Sequence, residues 1–351
     1  MIQTNIIKVL VLCVFSSILA VLWTPLLTHF LYKYKFWRKE ARKETIDGKP
    51  AVVFYNLHKE REVKTPRMGG LLVWVTTVFA AFLFLGISKI SNNFWAQKLN
   101  FLSRDQTWLP LGMLIAASLL GLCDDILQIF GKGKYAGVGM KFTRRLLIVS
   151  LIGIIGAWWF YFKLDWHSLH IPLVGNLEIG FWHLPLFVFT VLACWAGGVI
   201  DGIDGLAGGA FGIIFGAFSI IAFSRSQYNL ASFCAVIMGT TLAFLWFNIP
   251  PARFYMGETG MIGLTATLAV VSFLTDSLVV LPIIAILLVI EAGSVILQLL
   301  SKRFFNKKIF LCAPLHHHLE AKGWSPEKIT MRFWILGLVF AVLGVIIRLF
   351  G

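Results

Sequence analysis

Gly205-Leu-Ala-Gly-Gly-Ala-Phe-Gly-Ile-Ile-Phe-Gly-Ala-Phe-Ser-Ile-Ile-Ala-Phe-Ser224 contains no charged side chain. At about 1.5 Å per helical residue it matches the roughly 30 Å hydrocarbon core of a bilayer, so it reads as a transmembrane helix. Downstream, Arg225 alone divides it from a second uncharged run, Ser226 to Ala252; upstream, Asp201 and Asp204 divide it from a third, Ile179 to Ile200. Further runs lie at Val9 to Tyr32, Met68 to Ser88, Gln106 to Cys123, Leu146 to Phe162, Thr259 to Thr275, Ser277 to Ser301 (broken by Glu291) and Phe333 to Ile347. The pattern predicts an all-α integral membrane protein with ten transmembrane helices, a single polytopic domain over 1–351. Helices are required because backbone in lipid must satisfy its own hydrogen bonds, and the runs are too uniformly apolar for barrel strands. The first run lacks a small-residue cleavage site and precedes a basic segment, so it reads as a span rather than a signal peptide.

Composition agrees. Of 351 residues, 58% are hydrophobic and 14% charged, with a mean hydropathy of +0.81, which excludes a soluble, fibrous or disordered chain. The net charge of +14 is read as cytoplasmic loops and anionic partners, membrane lipid included, and not as a nucleic-acid surface. The five cysteines are scattered through apolar runs with no Cys-x-x-Cys pair, as core packing would have them.

Ten spans divide the basic residues between two faces, 24 on one and 7 on the other. By the positive-inside rule the rich face is cytoplasmic and both termini lie outside. Asp124, Asp125, Asp201, Asp204, Glu258 and the triple histidine His316-His317-His318 all fall on that face. Polar groups remote in sequence are thereby delivered to one membrane surface, as a cleft built from helix ends requires. On the other face, Pro172 and Gly175-Asn176 between alternating apolar residues give a weak hairpin signal.

Each motif has a chemical and a plain structural reading. Adjacent Asp124 and Asp125 repel unless a cation joins them, which suits Mg²⁺ beside a phosphate; a solvated helix end would look the same. Asp201-Gly-Ile-Asp204-Gly puts two acids three residues apart beside glycines that admit a ligand, although Asp-Gly alone is usually a turn. In Phe247 to Gly260, Glu258 could complete a metal shell, Asn248 could orient phosphate or sugar, and Tyr255 could stack on a base; an ordinary Pro/Gly loop is the alternative. The triple histidine suits pyrophosphate binding or proton relay better than zinc, because consecutive side chains diverge and no Cys or second His cluster is nearby in sequence. Glu291, inside an apolar run, is either functional or paired with a buried polar group. Lys64-Thr-Pro-Arg67-Met-Gly69-Gly70 offers cations and flexible backbone to phosphates, or is simply a basic flank.

Taken in order, Thr65-Pro-Arg-Met-Gly-Gly70, Asp124-Asp125, Asp201-Gly-Ile-Asp204-Gly-Leu-Ala, Phe244-Leu-Trp-Phe-Asn248, Glu291 with Val295-Ile-Leu-Gln298, and Ala313-Pro-Leu-His-His-His318 through Lys322-Gly-Trp324 resemble the phospho-N-acetylmuramoyl-pentapeptide transferase family, within the polyprenyl-phosphate N-acetylhexosamine-1-phosphate transferases. The resemblance covers nearly the whole chain, and the triple histidine with Lys-Gly-Trp is its most discriminating part. It implies a ten-helix enzyme of the bacterial inner membrane with a cytoplasmic cleft. Such an enzyme transfers phospho-MurNAc-pentapeptide from UDP-MurNAc-pentapeptide to undecaprenyl phosphate, with Mg²⁺, giving lipid I and UMP; the family also suggests a homodimer. Carried over by position, Asp124, Asp125, Asn248 and His317 are catalytic. Lys64, Asp201, Asp204, Tyr255, Gln298, His316 and His318 bind substrate, and Glu258 and Asp125 hold the metal. The chain departs from the family pattern at Glu258 (Asp), Gly198 (Asn), Arg67 (Thr), Met261 (Ser) and Tyr255 (Phe). A relative using another UDP-sugar, an inactive lipid-phosphate binder and a membrane transporter are the alternatives. A transporter should carry midplane charges and an internal repeat, and only Glu291 qualifies.

Overall fold

The computed structural model describes residues 2–39, 55, 58, 63–131 and 139–351. Gly133 and Gly137 of the loop after the acid pair, and much of the basic segment before Lys64, lie outside the described residues. The main helices are α1 (Ile2–Lys33), α2 (Leu71–Ile90), α3 (Trp108–Phe130), α4 (Phe142–Lys163), α5 (His183–Gly197), α6 (Leu206–Ser224), α7 (Tyr228–Asn248), α8 (Gly257–Leu274), α9 (Ile286–Phe305), α10 (Leu315–Ala321) and α11 (Pro326–Phe350). Among the described residues nine are long and apolar enough to cross a membrane, as an all-α integral membrane protein requires. The predicted ninth run begins with a loop and a one-turn helix, Leu281–Ile284, and its long helix α9 carries Glu291, Lys302 and Arg303. Those three charges distinguish α9 from the nine.

The expected hairpin is present. Strands β1 (Ser168–Ile171) and β2 (Gly175–Glu178) pair antiparallel, with Ile171 opposite Gly175.

The core is α8. Of its apolar window 94% is buried inside the protein, against 22% for α1. Apolar side chains gain little by leaving lipid, so such a helix is held by close packing and internal hydrogen bonds. Two of its buried threonines return their hydroxyls to the helix itself, Thr265 to the carbonyl of Met261 and Thr267 to that of Gly263, each at 2.7 Å, while Thr259 donates across to the Ser118 carbonyl of α3 at 3.1 Å. α8 packs on α3, and Gly121 permits it: a Cβ there would stand 2.1 Å from the carbonyl oxygen of Glu258. That backbone-to-backbone contact sets the acid pair of α3 beside the start of α8.

Polar groups gather at two ends. At one, Lys8 donates to the carbonyl of Asn100 and to Asn229 Oδ1, Arg225 pairs with Asp276, and His170 meets the backbone oxygen of Gly351. At the other lie the ends of α3 and α7, the start of α8, the 201–204 loop and α10. The two long polar ensembles therefore share no helix end.

Candidate functional site

Four backbone N–H groups at the start of any helix lack a partner within it. At the start of α8, two carboxylates from remote segments supply partners. Asp125 accepts from Glu258 N at 3.1 Å with Oδ1 and from Thr259 N at 2.9 Å with Oδ2, and Asp201 Oδ2 accepts from Gly257 N at 3.1 Å. Each is a charge-assisted bond to the positive end of a helix dipole. Asp125 is wholly buried, so its first task is to hold Glu258 in place.

Asp124, one residue earlier and also fully buried, faces a different group. Its Oδ1 accepts from the N–H of Met140, and its Oδ2 from Gln128 Nε2 at 2.9 Å and Arg145 Nη1 at 3.2 Å. The same Nη1 donates to Glu258 Oε1 at 2.8 Å, so one guanidinium nitrogen bridges two carboxylates from α3 and α8. Arg38 extends the network by donating to Gln128 Oε1. The predicted acids thus converge, and Arg145, Gln128 and Arg38 join them without having been singled out. Gln128, one turn after Asp124 on the same face, was legible from spacing; Arg145 and Arg38 look like any basic flank.

The Asp-Gly motif closes the other wall. Asp204 is buried, and its Oδ2 accepts from Ala252 N at 3.1 Å. Asn248, at the end of α7, uses both ends of its amide on backbone: Oδ1 accepts from Gly205 N at 3.0 Å and Nδ2 donates to the carbonyl of Phe254 at 2.9 Å. A cavity of about 280 Å³ lies between Thr65, Asp204, Pro250, Pro251, Ala252, Tyr255 and Glu327. The Thr-Pro-Arg-Met-Gly-Gly segment is tied to this loop as a short ladder. Tyr255 N donates to the Pro66 carbonyl, and Gly69 N and Gly70 N donate to the carbonyls of Tyr255 and Met256, all at 2.8 Å. Lys64 is exposed at the edge of that segment.

Burial pushes the Asp201 carboxyl up to about 6, although the Arg67 guanidinium and the Gly257 N–H pull it down. Arg67, one of the departures from the family pattern, therefore acts within the acid cluster.

The triple histidine stands against the same loop. A Cβ on Gly202 would lie 2.0 Å from His316 Nε2 and 3.0 Å from His317 Nε2. His316 is fully buried with Nδ1 2.8 Å from Glu291 Oε2, which gives Glu291 the buried polar partner its position demanded. His317 Nδ1 lies 2.6 Å from Glu320 Oε2, and His58 Nε2 lies 3.2 Å from the same oxygen. Burial and the neighbouring His316 lower His317 to about 3, so it is neutral. Burial alone would raise Glu320, but its hydrogen bonds with His317 and His58 outweigh that and hold it at about 2. His318 Nδ1 accepts from Leu311 N at 3.1 Å. Gln298 on α9 clamps the following loop, accepting from Ile309 N and Phe310 N and donating to the Phe310 carbonyl. Glu320 follows His317 by three residues and was legible from helical spacing; His58, 262 positions away from Glu320, was not.

The donor set fits a hard divalent cation. Asp124 and Glu258 present oxygens on either side of one cationic nitrogen, and the Glu258 side chain is 27% exposed, which leaves an approach from the aqueous end.

The chain is similar in sequence to known proteins. The model for glycosyl transferase family 4 matches residues 107–276, which carry the acid pair, the Asp-Gly motif, Asn248 and Glu258. The chain is 33% identical over 349 residues to the phospho-N-acetylmuramoyl-pentapeptide-transferase of Geobacillus sp. (strain WCH70), covering 97% of this chain and 98% of the relative. It is 35% identical over 288 residues to the protein of that name from Lactiplantibacillus plantarum, covering 82% and 85%. Against the one from Chloroflexus aggregans it is 33% identical over 303 residues, covering 82% and 78%.

Proposed function

The chain belongs to the phospho-N-acetylmuramoyl-pentapeptide transferase family, and from that premise we propose that it transfers phospho-MurNAc-pentapeptide from UDP-MurNAc-pentapeptide to undecaprenyl phosphate, producing lipid I and UMP. The observation that carries the reading is the meeting of Asp124, Arg145 and Glu258, from three separate segments, at one end of the helix bundle. α9 is the tenth span, the site end is cytoplasmic, and both termini lie outside in the bacterial inner membrane. The lipid substrate keeps its tail in the bilayer while the soluble anion is drawn to a protein of net charge +14.

Phosphoryl transfer is mainly a matter of positioning and charge neutralisation. Asp125, expected as a metal ligand, has both carboxylate oxygens on backbone N–H groups, so Asp124 takes its place and with Glu258 would hold Mg²⁺, which would neutralise pyrophosphate oxygens when bound. Asp125 and Asp201 fix the start of α8 and so fix Glu258. Arg145, released from the carboxylates, offers a planar fork to phosphate oxygens. Asn248 joins the 205 and 254 backbones and acts through them. Tyr255 and Asp204 line the cavity that takes the nucleotide end, while His316, His317 and His318 face the pyrophosphate side. Lys64 and Gln298 serve the substrate at the rim, Lys64 by charge and Gln298 by shaping the loop.

The test is UMP release by the purified protein supplied with both substrates and Mg²⁺. Wild type should turn over, and Asp124→Asn and Asp125→Asn should each lose at least about 100-fold. Glu258→Gln should shift the Mg²⁺ titration to higher concentration. No UMP from folded protein beside an active control enzyme would refute the transferase reading, and near-normal rates in both Asp variants would remove the pair from the mechanism.

A further inference from the structure

His58, His317 and Glu320 stand apart from the carboxylates assigned to Mg²⁺. One ligand atom from each lies within 4.8 Å of the others. His58 Nε2 and His317 Nδ1 both turn toward Glu320 Oε2, at 3.2 and 2.6 Å. The three side chains are 8%, 5% and 7% exposed, and the His58 and His317 rings tilt at 58° with centroids 4.8 Å apart. A tetrahedral ion with bonds of about 2.0–2.1 Å separates its ligands by roughly 3.3 Å. The 3.2 Å separation already matches that spacing, the 2.6 Å pair must open, and the two imidazole nitrogens lie within 4.8 Å of each other.

We propose that His58, His317 and Glu320 form a site for a borderline divalent transition metal such as Zn²⁺, distinct from the Mg²⁺ site. Two imidazole nitrogens and one carboxylate oxygen are the donors such an ion prefers, whereas Mg²⁺ prefers oxygen alone. Three protein ligands leave a fourth position for water. Without metal, His317 directs its Nδ1 proton at Glu320, which leaves Nε2, facing Gly202, unprotonated. With metal on Nδ1 the imidazole proton moves to Nε2 through solvent, and the same nitrogen becomes a donor toward the 201–204 loop. The ion would also fasten His58 to α10, joining segments far apart in sequence.

The experiment uses the full chain in detergent, without a polyhistidine tag and saturated with Mg²⁺, dialysed against Zn²⁺ and, separately, Co²⁺. Wild type should retain one Zn²⁺ per chain and give the intense visible absorption of four-coordinate Co²⁺. His58→Ala should bind at least about 10-fold more weakly, and His58→Cys should restore binding with an added thiolate band. His58→Ala should release UMP normally with Mg²⁺ alone, which separates loss of this site from failure of the transferase reading. Absence of a retained equivalent in wild type, or unchanged binding in His58→Ala, overturns the proposal.

Discussion

Asp201 illustrates how one side chain serves two demands. Its carboxylate closes the start of α8 through Gly257 N, yet burial raises it to about 6 against an ordinary 3.8. A raised carboxyl holds its proton more tightly folded than unfolded. The stability this contributes is complete below about pH 3.8 and disappears as pH rises through about 6, at up to about 3 kcal/mol for a shift of this size. Asp201→Asn keeps an acceptor for Gly257 and carries no such charge. Its melting temperature in metal-free detergent should therefore gain on wild type as pH is raised from 4 to 8. A constant difference across that range would show that Asp201 does not titrate there.

At the scale of elements, the site is a meeting of helix ends enforced by close approach. Gly202 is where α10 and the Asp-Gly loop touch, with no room for a side chain before His316, itself held by Glu291. Gly202→Val should push the triple-His helix outward, and misplacement on the order of 1 Å can cost about 100-fold in rate. UMP release should fall accordingly, and Ile346, exposed near the end of α11, offers a control: Ile346→Val should retain most activity. Equal rates for the two variants would argue against α10 as part of the site. The acids of α3, the 201–204 loop and α8 were legible because charge is rare in so apolar a chain and each fell at the end of a run. Arg145 and His58 were not, because their contacts join segments 113 and 262 residues apart and no local pattern marks them. Asn248 and Gln298 were legible as polar residues of interest, but their commitment to backbone partners depends on loop geometry that spacing does not carry.

For the whole molecule, the basic-residue imbalance predicts two polar ends, and among the described residues the Asp124–Arg145–Glu258 group and the Lys8 and Arg225–Asp276 group lie at different helix ends. The ninth run is the one that Glu291 breaks, and Lys302 and Arg303 continue its helix α9 beyond Ser301. Its partners, His316 for Glu291 and a loop for Gln298, explain why a membrane-length helix tolerates them. Orientation can be checked with single cysteines in a background where the five native ones are replaced. In intact cells an impermeant maleimide should label Ser226→Cys and spare Lys322→Cys. The reverse pattern would place the site outside and exclude a cytoplasmic nucleotide-sugar.

Arg145 has one further consequence. Clustered anions in a setting of low polarity would ordinarily drive their supporting helices apart between turnovers. Here a tethered counter-ion, the Arg145 guanidinium, stands between two of them, so on the proposed reading a divalent cation would have to displace a group that the chain itself retains.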